Sequence, residues 1–130
     1  MNGRLLLDTS VVIWMLSADH KLSARAKRAL SFSNASLLVS VVSAWEIVIK
    51  SAAGKLRLHN SLTRILDQIL YQSPWTILPM TGEHLPLLSA LPMLHKDPFD
   101  RMLIAQAQHE GLTMVTPDEQ IRKYEVRTIW

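Results

Sequence analysis

Four short apolar runs recur along this chain with helical spacing between them, and that alternation limits the fold more than any other feature. Arg4-Leu5-Leu6-Leu7, Leu37-Leu38-Val39-Ser40, Trp75-Thr76-Ile77-Leu78 and Thr113-Met114-Val115-Thr116 are too short for helices and read as buried strands. Between them lie helical stretches at 11–17, capped by Thr9 or Ser10, and at 23–32. A third opens on the capping-box pattern Ser43-Ala44-Trp45-Glu46 and ends near Gly54. Leu62, Ile65, Leu66, Ile69 and Leu70 give 62–72 a clear 3.6 period, and 81–91 reads as a helix despite Pro86. Pro117-Asp118 leads into a short helix, and 126–129 reads as a last strand. Strands alternating with helices predict a three-layer α/β domain, its mainly parallel central sheet flanked by helices. At 130 residues the expectation is a single domain over 1–130.

A hydrophobic share of 48% against 19% charged residues excludes a disordered chain. There is no cysteine, which excludes disulfides and thiolate metal sites. Apolar runs such as 11–16 are far short of the ~20 residues that span a bilayer. Asp8 interrupts what would otherwise pass as a signal-peptide core. The expectation is a soluble cytoplasmic protein without a membrane partner. The net charge of +3 is unevenly spread: residues 1–60 carry eight Lys/Arg against three acids, and 61–130 carry six against eight. A basic half suits a polyanion such as nucleic acid, or simply a solvated helix face.

The stretch Asp97-Pro98-Phe99-Asp100 enters a helix whose apolar stripe includes Leu103, Ile104 and Ala107 and which ends at Gly111. Asp97 suits the N-cap, Pro98 the first helical position, and Asp100 the positive end of the helix dipole. Asp8 directly follows the first strand, Glu46 lies in the first turn after the second, and Asp118 lies just beyond the fourth. Ligands of parallel α/β sheets bind at the carboxyl ends of the strands, so these acids point to one site. Each also has a local use, as a cap, a capping-box partner or a turn residue. Crowded carboxylates protonate or recruit a cation. With no cysteine, and no histidine at ligand spacing near them, their hard oxygens select Mg²⁺ or Mn²⁺. Such an ion beside a basic half suits phosphodiester hydrolysis. Lys50 and Arg101 are candidate phosphate or RNA contacts. Trp14, Trp45 and Trp75 read as core, Trp130 as edge packing or a dimer contact, and none of the five histidines is given a catalytic role.

The ordered set Leu7-Asp8-Thr9-Ser10, Ser43-Ala44-Trp45-Glu46-Ile47 with Lys50 and Gly54-Lys55-Leu56, Asp97-Pro98-Phe99-Asp100-Arg101 through Ala107, and Val115-Thr116-Pro117-Asp118 resembles the PIN domain. More narrowly, it resembles the VapC-type toxins of bacterial toxin–antitoxin pairs. The resemblance spans essentially the whole chain. It implies a PIN-like domain acting as a Mg²⁺- or Mn²⁺-dependent endoribonuclease on RNA, inhibited by a cognate antitoxin and assembled as a homodimer. By position, Asp8, Glu46 and Asp100 match the family's three most regular acids and Asp118 its more variable fourth. Asp97 belongs to a variant of the motif and would act behind the ligands, as would the hydroxyls of Thr9, Ser10 and Thr116. Pro117 departs from the pattern, which has a backbone N–H before the fourth acid. A phosphoacceptor receiver domain fits poorly, because Asp8 stands alone and the third strand ends Leu78-Pro79-Met80. A housekeeping RNA-processing nuclease of the same family and a PIN-like binding module without chemistry remain as alternatives.

Overall fold

In the computed structural model, which describes residues 3–32 and 34–130, five parallel strands form one sheet in the order β3-β2-β1-β4-β5. The strands are β1 (Arg4–Leu7), β2 (Ser36–Ser40), β3 (Thr76–Leu78), β4 (Thr113–Val115) and β5 (Thr128–Ile129). The helices are α1 (Thr9–Ser17), α2 (Ala24–Ser31), α3 (Val41–Ala52), α4 (Leu62–Asp67), α5 (His84–Ala90) and α6 (Pro98–Glu110). The expected three-layer α/β architecture is observed, and every strand pairing is parallel.

Side chains alternate across a strand, so each strand feeds two cores. Leu6, Leu38, Leu78 and Met114 face one side and pack with Met102, Leu103 and Ile104 of α6. Leu5, Leu7, Val39 and Val115 face the other and meet Val11, Val12, Ala26, Ile47, Ile65 and Ile69. Burial on both faces explains why the strands read as continuous apolar runs. Register aligns Leu7 with Val115, and the Asp8 N–H extends that ladder to the Val115 carbonyl at 3.0 Å.

Several helix boundaries differ from the sequence expectation. The first helix starts at Thr9, with Asp8 in the N-cap position but making no side-chain cap. The third starts directly after its strand at Val41, and Ser40 caps it by accepting the Val42 N–H. Ser43 therefore sits inside the first turn and Glu46 in the second, and the expected capping box does not form. The stretch 62–72 is α-helical only to Asp67 and then widens into a π turn, Gln68–Gln72. The fifth helix starts at His84, not Thr81, which puts Pro86 in the first turn, where no intrahelical N–H is needed. The sixth helix ends as its sequence predicts, with Gly111 at φ 67°. The expected short helix after Asp118 is a single 3₁₀ turn, Ile121–Lys123, and the last strand is trimmed to Thr128–Ile129. Among the described residues no helix is long and apolar enough to cross a membrane.

This topology gathers the acids. Strand order turns back at β1, whose two neighbours are β2 and β4, and crevices in such sheets open at that point. Asp8 and Asp118 follow β1 and β4. The third helix leaves the carboxyl end of β2, and α6, which runs back to start β4, begins at the same edge.

Candidate active site

Asp8, Glu46, Asp100 and Asp118 line one cavity of about 280 Å³, together with Thr9, Ser10, Ile13, Lys50, Lys55, Leu56 and Pro117. Asp8 and Glu46 are buried and Asp100 is half-buried. Each acid is held by neighbours that the chain brings from far away. The Thr116 hydroxyl donates to Asp8 Oδ2 at 2.6 Å and accepts the Asp118 N–H at 3.0 Å. The Thr9 hydroxyl donates to Glu46 Oε1 at 2.6 Å and lies 2.9 Å from the Ser43 hydroxyl. Ser43, freed from capping, thus backs the Thr9–Glu46 contact. Asp97 is both cap and cluster member: Oδ1 accepts the N–H groups of Phe99 and Asp100, and Oδ2 accepts from Lys50 at 2.9 Å.

Electrostatics single out Asp100. Its carboxyl is pushed up to about 8, by burial first and then by the charges of Asp8, Asp97, Glu46 and Asp118. Asp8 is pushed up to about 6, again by burial first, with the Thr116 hydrogen bond opposing and the charges of Glu46 and Asp118 adding. Lys50 partly offsets this crowding by bridging Glu46 Oε2 and Asp97 Oδ2. Burial disfavours its ammonium, but the hydrogen bonds it donates to Glu46 and Asp97, with their charges, outweigh that and raise its pKa. Burial likewise pushes Asp97 up, and Lys50 more than reverses the effect, so Asp97 lies below the ordinary Asp value.

The donor set fits a hard divalent cation. One carboxylate oxygen each from Glu46, Asp97 and Asp100 lies within 4.8 Å of the others. A second such group is His95, Asp100 and Asp118. Here the sequence reading needs correcting. A histidine does reach the acids: His95 Nε2 is 2.8 Å from Asp118 Oδ2 and 3.0 Å from Asp100 Oδ2. Its place two residues before the helix cap was the available signal. Lys55, which the sequence presents only within Gly54-Lys55-Leu56, also lies on the cavity wall.

The structure does not bring Arg101 to the cavity. Its guanidinium donates to the carbonyls of Pro92, Leu88 and Leu91 and to the Tyr124 hydroxyl. Trp45 is no core residue either. It is 54% exposed and lies edge-on to Phe99, with ring centroids 5.0 Å apart. On α3 Trp45 shares the outward face with Val41 and Ile49, while Glu46, about 100° round the helix, faces inward. Trp14 and Trp75 are partly buried, and Trp130 packs against Trp14 at 5.8 Å, the edge-packing alternative.

A family model described as PIN domain matches residues 5–126. The chain belongs to the PIN domain family. No curated protein matches its sequence significantly. Solved structures share the PIN fold at low identity. VapBC2 from Rickettsia felis, bound to a DNA fragment from the promoter, is 16% identical with a TM-score of 0.70, covering 95% of this chain and 96% of that one. DNA-bound VapBC from Salmonella typhimurium is 17% identical with a TM-score of 0.66, covering 97% and 96%. VapBC-5 from Mycobacterium tuberculosis is 14% identical with a TM-score of 0.64, covering 98% of each. At these identities the likeness is one of fold, and function has to be argued from the site.

Proposed function

We propose that this PIN domain, spanning residues 1–130, is a divalent-metal-dependent endoribonuclease and the toxin of a VapC-type toxin–antitoxin pair. The observation that carries the proposal is the placing of Asp100 among four other carboxylates, where burial first and their charges next push its pKa up to about 8. Such crowding costs stability in the empty site, and a bound cation removes that cost. Asp8, Glu46, Asp100 and Asp118 would hold the ion. Bound there, Mg²⁺ or Mn²⁺ would supply Lewis-acid activation of a water and charge neutralisation at the phosphate. Thr116 and Thr9 orient Asp8 and Glu46, Ser10 lies on the cavity wall, and Asp97 holds Lys50 beside the acids. Lys55 and Lys50 face the same cavity and suit the phosphates of an RNA backbone.

The partner reading rests on two supports. The similar solved structures include, by their own descriptions, a toxin–antitoxin complex from Klebsiella pneumoniae and a member of the VapBC family of toxin–antitoxin systems. Beside the acids, Val41, Trp45 and Ile49 form an exposed apolar stripe at i, i+4, i+8 on α3, which suits a protein surface. An antitoxin that lays an apolar helix there and offers a basic side chain to the carboxylates fits this chemistry; a homodimer in the cytoplasm is proposed with it, on the resemblance alone.

The test is cleavage of single-stranded RNA by the purified protein. Mg²⁺ or Mn²⁺ should support it, EDTA should abolish it, and Asp8→Asn should abolish it while the circular dichroism spectrum stays native. Cleavage by a well-folded Asp8→Asn protein overturns the assignment. Metal binding without cleavage leaves a PIN-like binding module. Co-expression with the product of the adjoining reading frame should give an inactive complex.

A further inference from the structure

The two ring nitrogens of His95 have unlike settings. Nδ1 accepts the Asp97 backbone N–H at 3.1 Å. Nε2 lies between Asp118 Oδ2 and Asp100 Oδ2, at 2.8 and 3.0 Å. A nitrogen that faces an N–H donor must present its lone pair, so the proton of the neutral ring is assigned to Nε2. The imidazole is therefore a donor to Asp118 Oδ2, its hydrogen-bond partner, with Asp100 Oδ2 a close neighbour.

The loop that carries His95 is fastened from below. The buried Tyr124 hydroxyl accepts the N–H groups of Leu94 at 3.0 Å and His95 at 2.7 Å, and donates to the Pro92 carbonyl at 2.8 Å. Asp118 is fastened from its own side: its N–H donates to Thr116, and its Oδ1 accepts the Gln120 N–H at 2.8 Å. His95 supplies the hydrogen bond to the remaining oxygen, Oδ2, and keeps it close to Asp100.

The spacing of His95, Asp100 and Asp118 alone would suit a cation with one nitrogen and two oxygen ligands. The tautomer speaks against it. A ligating Nε2 carries no proton, and a metal-bound histidine donates its other N–H to an acceptor. Here Nδ1 meets a donor. We infer that His95 is a positioning residue: through Nε2–H it holds Asp118 beside Asp100 in the cluster, and it stays outside the shell of the cation those acids bind. The inference rests on the metal site proposed above. It also explains how Asp118 keeps its place behind Pro117, because a side chain 23 residues away holds the carboxylate.

The experiment compares Mn²⁺ affinity, by calorimetry, for the unmodified protein, His95→Ala, His95→Gln, Asp118→Asn and the double variant His95→Ala/Asp118→Asn. Long-range ¹H–¹⁵N correlation spectra of the unmodified protein, with and without Mg²⁺, report the His95 tautomer. His95→Ala should weaken Mn²⁺ binding by about 10- to 100-fold. His95→Gln, which keeps an amide donor, should recover most of that loss. In the Asp118→Asn background the loss should largely disappear, since the two residues act as a pair. The ring should stay the Nε2–H tautomer with Mg²⁺ bound. A switch to Nδ1–H on adding Mg²⁺, no loss in His95→Ala, or an undiminished loss in the Asp118→Asn background overturns the inference. If the unmodified protein binds no Mn²⁺, the metal-site reading itself falls, a different result from binding that ignores His95. Should His95→Ala fail to fold, the glutamine variant and the spectra still decide.

Discussion

The Thr116 hydroxyl donates to Asp8 Oδ2 at 2.6 Å, joining the ends of two neighbouring parallel strands across 108 positions of sequence. The same oxygen accepts the Asp118 N–H, so one methyl-sized group fixes two acids. Thr116→Val keeps the shape and deletes both contacts. A hydrogen bond to a buried charged group is worth about 1.5–3 kcal/mol, so thermal unfolding at neutral pH should show a loss of that order. Asp8 should also move above its present value near 6, since the Thr116 bond lowers it. Thr116→Ser should restore most of the stability. A valine variant as stable as the unmodified protein would show that this contact carries no weight.

Arg101 separates a structural arginine from a phosphate-binding one. Its fork ties α6 to three carbonyls near the end of α5 and to Tyr124. Arg101→Ala should cost about 2 kcal/mol in urea unfolding. Arg101→Lys should recover little, since an ammonium cannot reproduce the fork. At a temperature where both variants are folded, the KM for RNA should stay near that of the unmodified protein. A large rise in KM without loss of stability would return Arg101 to the substrate.

How far the sequence revealed this site depended on the range of the contacts. The α/β architecture followed from local patterns, because Leu5–Leu7 and Val39 are apolar on both faces of a buried parallel sheet. The acids were legible for the same reason: strand ends and the start of α6 at Asp97 are local signals. The capping box at Ser43 was a sound local rule that lost to tertiary structure, since Ser40 at the strand end could cap instead. Apolar character alone suggests a core place for Trp45, but α3 carries apolar residues on two faces, and Trp45 shares the exposed one with Val41 and Ile49. The contacts of His95, 23 residues before its partner Asp118, and of Arg101 with the α5 end depend on how loops fold over α6, which no periodicity encodes.

The crowding of Asp100 gives a stability prediction independent of family. At neutral pH the folded protein must hold a proton on Asp100 that the unfolded chain releases, because the folded value is about 8 and the unfolded one about 4. Asp100→Asn removes that demand. In EDTA it should melt higher than the unmodified protein, with a gain of about 1–3 kcal/mol, or roughly 4 °C per kcal/mol for a domain of this size. Adding Mg²⁺ should stabilise the unmodified protein more than the variant. A variant that melts lower in EDTA and gains as much from Mg²⁺ would leave Asp100 as a helix-start residue only.

Proton and metal should compete for the same oxygens over a defined pH window. Asp8 titrates near 6 and Asp100 near 8 in the folded protein, both above the unfolded value. A raised carboxyl pKa contributes stability below the unfolded pKa and loses it as pH climbs to the folded one. Without metal, stability should therefore fall from about pH 4 toward pH 8, more steeply below 6 where both groups contribute, and then level off. Metal affinity should run the opposite way, since the ligands must be deprotonated. Log affinity for Mg²⁺ should rise with a slope near two below pH 6, near one between 6 and 8, and then flatten. Asp100→Asn should remove the upper segment and leave the lower. Calorimetric titration at half-unit pH steps reads both slopes directly. A flat profile between pH 6 and 8 in the unmodified protein would mean that Asp100 binds no metal.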